Sequence, residues 1–187
     1  MLRVATVTVA CALLAAAGCS SSSNDTATPP TADAPTGADQ PAAAKNLTAE
    51  QIAKALASRG LPVKDVIVYD ENTDPNKRLG RPGQYTSKVN FTDPRMKKTV
   101  NGAGGKDVTD GGSVEVFDNA SDALARGQYI ERVMREIQVL GQEYDYLAGG
   151  ILLRITGTLP PSAAHKYADA LEAITGTPIV TPSPSHT

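Results

Sequence analysis

The sequence predicts a single α+β domain behind a leader and a spacer. Three observations carry that prediction. Apolar residues recur at helical spacing in three stretches, with short β-branched or alternating runs between them. Gly149-Gly150 separates two of those runs by two residues, the signal of a tight hairpin. All of the aromatic residues lie between Tyr69 and Tyr167, which marks where a core can form. The elements read in the order α-β-β-β-α-β-β-α. That order predicts an antiparallel or mixed sheet with the helices packed on one face.

Residues 1–18 have the three parts of a secretory signal. Arg3 gives a positive start, Val4 to Ala17 is dominated by Val, Ala and Leu, and small residues lead into Cys19. At roughly 14 residues the apolar run is short for a hydrocarbon core of ~30 Å. The stretch Ala16-Ala17-Gly18-Cys19 resembles the lipobox of bacterial lipoprotein signal peptides. Cleavage between Gly18 and Cys19 and a diacylglycerol thioether on Cys19 are what this resemblance implies. Each buried CH₂ contributes ~0.8 kcal/mol, and two or more chains are needed for a lasting anchor. The expected location is therefore the extracytoplasmic face of the cell membrane, held by lipid on Cys19.

Residues 19–46 form the expected tether: Ser, Thr, Pro, Ala, Asp and Gly with almost no large apolar residue. Such a segment cannot bury enough surface to offset its ordering entropy. The other cysteine, Cys11, lies inside the leader. A mature chain would then carry no free thiol for a nucleophile, a thiolate metal site or a disulfide. The domain must rely on its packed core.

The domain is expected over residues 47–176, roughly 130 residues, a size that suits one core. Thr48-Ala49-Glu50-Gln51 is a capping box, and Ile52, Ala53 and Leu56 share a face, so the first helix runs over about 49–59. Val63 to Tyr69 is β-branched and reads as a strand. Residues 70–83 are rich in turn formers. Tyr85, Ser87, Val89 and Phe91 alternate with Thr86, Lys88, Asn90 and Thr92, which predicts a strand with one face in the core and the other in water. Residues 94–111 read as a long loop, followed by a third strand from Gly112 to Phe117.

Asn119 is an N-cap with Asp122 at the third helical position, and an apolar stripe from Ala123 to Leu140 predicts a second helix over about 120–140. The Gly149-Gly150 turn sets a register. Ala148 falls opposite Ile151, Tyr146 opposite Leu153 and Tyr144 opposite Ile155, all on the core face. Asp145 then falls opposite Arg154 on the other face. Pro160-Pro161 opens a third helix, whose stripe is Ala164, Tyr167, Ala168, Leu171 and Ile174, with Gly176 as its stop. Residues 177–187 read as a disordered tail.

Chemistry-bearing groups are sparse. Asp70, Asn72, Asp74 and Asn76 place oxygen ligands at alternate positions, as at the start of a calcium loop. Pro75 stands where the loop needs glycine and Arg81 where it needs a carboxylate, and Asx turns explain the same residues without a metal. Arg95, Lys97, Lys98 and Lys106 make the 94–111 loop basic, a candidate interaction surface. Glu115 and Glu143 could serve as a carboxylate pair for glycoside cleavage, or as surface charges beside Arg154. His165 reads as a helix residue. A net charge of −2 gives no argument for nucleic acid. No cofactor is implied. The expected role is a non-catalytic binding or envelope-interaction module, whose partner is another envelope protein or a cell-wall component. The alternative is a surface carrier of a small ligand or ion.

Overall fold

A computed structural model of the chain describes residues 47–96, 107–137 and 142–182. The lipobox and tether, Lys97, Lys98 and Lys106, Leu140 and the last tail residues lie outside them. The elements are α1 (Ala49–Ser58), β1 (Lys64–Val68), β2 (Ser87–Thr92), a single 3₁₀ turn (Val108–Asp110), β3 (Gly111–Val116), α2 (Ala120–Glu136), β4 (Glu143–Ala148), β5 (Ile151–Thr156) and α3 (Pro161–Thr175). The five strands form one antiparallel sheet in the order β1-β2-β3-β5-β4. This is the α+β fold and element order that the sequence implies.

Local signals act where they stand. Thr48 Oγ1 accepts from Gln51 N while Gln51 Oε1 accepts from Thr48 N, closing the capping box on α1. Asn119 Oδ1 accepts from Asp122 N at the start of α2. Gly176 takes the left-handed conformation that ends α3. The β4–β5 register is Ala148↔Ile151, Tyr146↔Leu153, Tyr144↔Ile155 and Asp145↔Arg154, as the turn requires.

One face of the sheet is apolar. Val89, Phe91, Val114, Leu153 and Ile155 pack there against Ile52 and Leu56 of α1 and Tyr167 and Leu171 of α3. Phe91 and Tyr167 stack with ring centroids 5.9 Å apart. Burying side chains of this size contributes about 1.5–3 kcal/mol each.

The expectation that the helices share one face holds for α1 and α3 but not for α2. Helix α2 packs on the opposite face, where Ala123 and Ile130 meet Leu147 and Leu152, and Tyr85 meets Phe117 edge-on. The reason is positional. An apolar stripe says which side of a helix is buried, not which face of the sheet receives it. The face under α2 is buried too, but much of it is charged: Lys88, Asn90, Glu115, Asp145 and Arg154 are all buried. This corrects the reading of Lys88 and Asn90 as a wet face. Tyr85 also departs from its expected side. It precedes the regular strand, which begins at Ser87, and joins the cluster under α2.

Helix α2 ends at Glu136, capped at Ile137, short of the expected 140. Part of the expected tail is ordered. Val180 exchanges two backbone hydrogen bonds with Leu147 on the edge strand β4, and Pro182 is buried against Gly127. An edge strand offers unpaired backbone groups, and this contact satisfies a pair of them.

Candidate functional site

The site grows from two buried ionic centres under α2. The first is Asp74. Residues 70–79 turn back on themselves because Asp70 Oδ1 accepts from Asn72 N, Thr73 N and the Thr73 hydroxyl, an Asx turn. Those bonds hold the exposed Asp70 carboxyl below its usual range. The turn drives Asp74 into the domain, fully buried. Its carboxylate accepts from Tyr85 Oη at 2.6 Å, Lys88 Nζ at 3.0 Å, Arg78 N at 2.8 Å and Leu79 N at 3.2 Å. Burial alone would raise the Asp74 pKa, but the bonds from Tyr85, Arg78 and Lys88 outweigh it and hold it far below normal. Burial, together with donation to Asp74, raises Tyr85. Burial lowers Lys88, with Glu115 and Asp74 offsetting part of that.

The calcium-loop residues therefore do not converge. Asp70 is spent on its own turn and Asp74 on Tyr85 and Lys88. Asn76 is exposed, but its carboxamide points toward the buried lysine. One end of its carboxamide lies 2.9 Å from Lys88 Nζ and 3.3 Å from Arg126 Nη2, where two donors require the amide oxygen. Among the described residues no group of three or more acidic, histidine or cysteine side chains is placed to hold a metal.

The second centre is Arg154. Its Nε and Nη2 lie 2.8 and 2.9 Å from the two Glu143 oxygens, its Nη1 lies 3.5 Å from Glu115, and its Nε lies 4.0 Å from Asp145. Arg126 of α2 reaches down to the same Glu115, with Nε 3.0 Å from Oε2. Three carboxylates thus share two guanidiniums. Burial would raise Glu115, but Arg126 and Arg154 prevail and hold it below the usual carboxylate range. Glu143 stays raised, because burial outweighs its contact with Arg154. Asp145, the most distant, is pushed up to about 7 by burial and by Glu143 and Glu115, against the pull of Arg154. Its Oδ1 accepts no hydrogen bond among the described residues. Glu115 and Glu143 are not the surface charges one reading of the sequence made them: Glu115 is wholly buried, and both carboxylates are bound to arginine.

Above these centres lies a hollow of about 330 Å³, lined by Asn76, Arg78, Arg126, Tyr129, Ile130, Val133, Met134 and Arg154. Guanidinium carbons of Arg78, Arg126 and Arg132 stand 5.5, 5.8 and 5.8 Å from the Tyr129 ring centroid. Sequence reasoning named none of these arginines. Arg126, Tyr129 and Arg132 follow one another at i, i+3 and i+6 on α2, a cationic-aromatic stripe that could have been noticed. Arg78 comes from the turn segment, and nothing in its spacing pairs it with α2.

Of the four basic-loop residues, Arg95 lies among the described ones; it stays exposed and turns back onto Asp93. Its Nε lies 2.9 Å from Asp93 Oδ1, and buried Asp93 also accepts from Tyr167 Oη at 2.8 Å. Arg95 and Met96 border a second hollow of about 490 Å³ together with Thr109, Leu159 and Ala163. His165 is exposed and meets the Tyr146 ring edge-on. Among the described residues no helix is long and apolar enough to cross a membrane. No family model, no curated protein and no solved structure matches this chain.

Proposed function

We propose that the chain is a lipid-anchored extracytoplasmic protein whose domain is a non-catalytic binding module working through the hollow beside α2. One observation carries the binding half. The hollow has a floor of arginines fixed from beneath, Arg126 by Glu115 and Arg154 by Glu143, with a partly exposed tyrosine and apolar side chains for a wall. Such preorganised donors beside apolar surface are the makings of a ligand site. The two carboxylates that a glycosidase would need free are instead bound to those guanidiniums, which supports binding over hydrolysis.

The anchor half rests on Ala16-Ala17-Gly18-Cys19 and the polar tether behind it. Intact mass measurement of the native protein tests it. A chain starting at Cys19 and carrying diacylglyceryl is expected, and Cys19→Ala should leave the membrane fraction. An unmodified Cys19, or a retained leader, would end the anchor reading. A carrier of a small ligand is the second reading, favoured by the modest volume of the hollow. Pull-down from solubilised membranes separates the two. A partner protein lost on Tyr129→Ala favours the envelope module, and a small molecule co-purifying with the wild type favours the carrier.

A further inference from the structure

The charges around the hollow do not cancel. Asp74 faces Lys88 at 3.0 Å, Glu115 faces Arg126 at 3.0 Å, and Glu143 faces Arg154 at 2.8 Å, so each buried carboxylate of these pairs is answered. Two cations remain. Among the described residues, neither Arg78 nor Arg132 has a carboxylate within ion-pair distance. Among the described residues the Arg78 guanidinium donates only to the neutral Gln84 carboxamide, 3.2 Å away, and both arginines lean on Tyr129. The remaining wall is Ile130, Val133 and Met134, apolar and only partly covered apart from Ile130. A ligand suited to this place carries a compact negative group at one end and an apolar body at the other.

We propose that the hollow beside α2 binds a phosphate ester, its phosphate between Arg78 and Arg126 and its apolar part on Tyr129, Val133 and Met134. The proposal rests on the binding-module reading above and specifies its ligand. A phosphate monoester carries about −1.5 to −2 at neutral pH and presents several acceptor oxygens, so it can meet Arg78, which has no carboxylate partner, and Arg126 at the same time. Guanidinium forks also fit phosphate oxygens in pairs. Arg126 is already oriented by Glu115, so little side-chain freedom is lost when the anion arrives. The volume of about 330 Å³ holds a phosphate and one ring or a short chain, and excludes a bulky oligomer from lying wholly inside.

The test is calorimetric titration of the full chain with phenyl phosphate, inorganic phosphate and benzyl alcohol, followed by sedimentation with vesicles of phosphatidylcholine with or without phosphatidic acid. Phenyl phosphate is expected to bind saturably and more tightly than inorganic phosphate, with no binding of the neutral alcohol. Arg78→Ala with Arg132→Ala should weaken it by about tenfold or more. Both side chains reach solvent, so the fold should survive; Arg78→Lys, which keeps the charge but not the fork, should lose less. Sedimentation with phosphatidic acid alone would assign the ester to a lipid headgroup, and its absence with phenyl phosphate still bound would assign it to a soluble ester. No saturable binding of phenyl phosphate at about 5 mM, or equal binding by the double variant, would overturn the proposal. A lipidated Cys19 found together with that failure would leave the anchored-module reading standing and remove only the ligand.

Discussion

The two faces of the sheet solve the same problem with opposite chemistry. Beneath α1 and α3 the strands present Val89, Phe91, Val114, Leu153 and Ile155, and the helices answer with aliphatic and aromatic side chains. Beneath α2 the neighbouring positions present Lys88, Asn90, Glu115 and Arg154, and α2 answers with Arg126. At these positions both faces are closed to water. The first is held by area removed from solvent, which is tolerant of exchange among apolar residues. The second is held by pairing, where each group is stabilising only while its partner is present. The difference locates function. A face built from pairs can carry charge into a buried floor and leave an arginine cleft at its rim, which a purely apolar face cannot.

The largest effect should come from breaking the hub. Arg154→Met is expected to cost about 3–5 kcal/mol in urea unfolding at pH 7, because Glu115, Glu143 and Asp145 would stay buried with Arg126 alone. Leu153→Ala, its sequence neighbour on the apolar face, should cost a similar 2–5 kcal/mol through a cavity. The two losses part company with pH. Acidification to about pH 5 should recover part of the Arg154→Met loss, as the raised carboxyls take up protons, and none of the Leu153→Ala loss. Equal behaviour of both variants across that range would mean that pairing does not hold the α2 face.

Next in size is the Asp74 centre. Asp74→Asn should cost about 2–4 kcal/mol by leaving Lys88 buried without its counter-ion and weakening the bond to Tyr85. Pairing it with Lys88→Met should return much of that loss, giving a coupling energy that a double-mutant cycle reads directly. Additive costs would show that the two residues act independently despite their 3.0 Å contact.

These centres also mark where sequence reading stops. The apolar face was legible because its signals are local: the capping box at Thr48, the Pro160-Pro161 start and the Gly149-Gly150 turn each fix their own element, and the hairpin register followed residue by residue. The Asp145–Arg154 pairing was legible for the same reason. Glu115 was not, because its cross-strand partner Lys88 belongs to a strand joined to β3 by a long loop that sets no register. Lys88, Asn90 and Glu115 alternate with apolar neighbours just as solvent-facing residues do. Only the placement of α2 over them makes them interior, and the path of a helix across a sheet is a tertiary fact. Arg78 was out of reach because it meets α2 only through the fold of the 70–83 turn. Cys19 and the tether remain matters of sequence alone.

A smaller, pH-dependent effect should follow from Asp145. Its folded pKa of about 7 lies above the ~3.9 of an unfolded aspartate. Below ~3.9 the proton is bound in both states and Asp145 contributes nothing unfavourable. Between the two values the folded protein keeps a proton that the unfolded chain has lost, so this residue's contribution declines as pH rises and levels off above about 7. Asp145→Asn should therefore flatten stability between about pH 4 and 7 and raise it at pH 8 by on the order of 2 kcal/mol. Glu115 and Asp74, whose pKa values are lowered, act oppositely: their stabilisation is present above the unfolded carboxylate range and fades in acid. An unchanged slope in the asparagine variant would place the titrating group elsewhere.

The smallest expected effect tests the edge of the charged face. Gly127 lies inside α2, where glycine costs about 1 kcal/mol relative to alanine. A Cβ there would stand 2.9 Å from the Pro182 ring and 3.7 Å from Leu152 Cδ1. The helix alone would therefore gain from Gly127→Ala, while the segment carrying Val180 and Pro182 would have to withdraw from β4. The two terms nearly cancel, so the expected change in Tm is small. The readout that separates them is amide exchange at Leu147, whose N–H donates to Val180 O at 2.7 Å. That amide should exchange faster in the alanine variant while the Leu153 amide keeps its rate. Unchanged protection at Leu147 would mean that Pro182 yields without its strand partner letting go, and that glycine at 127 serves something other than this contact.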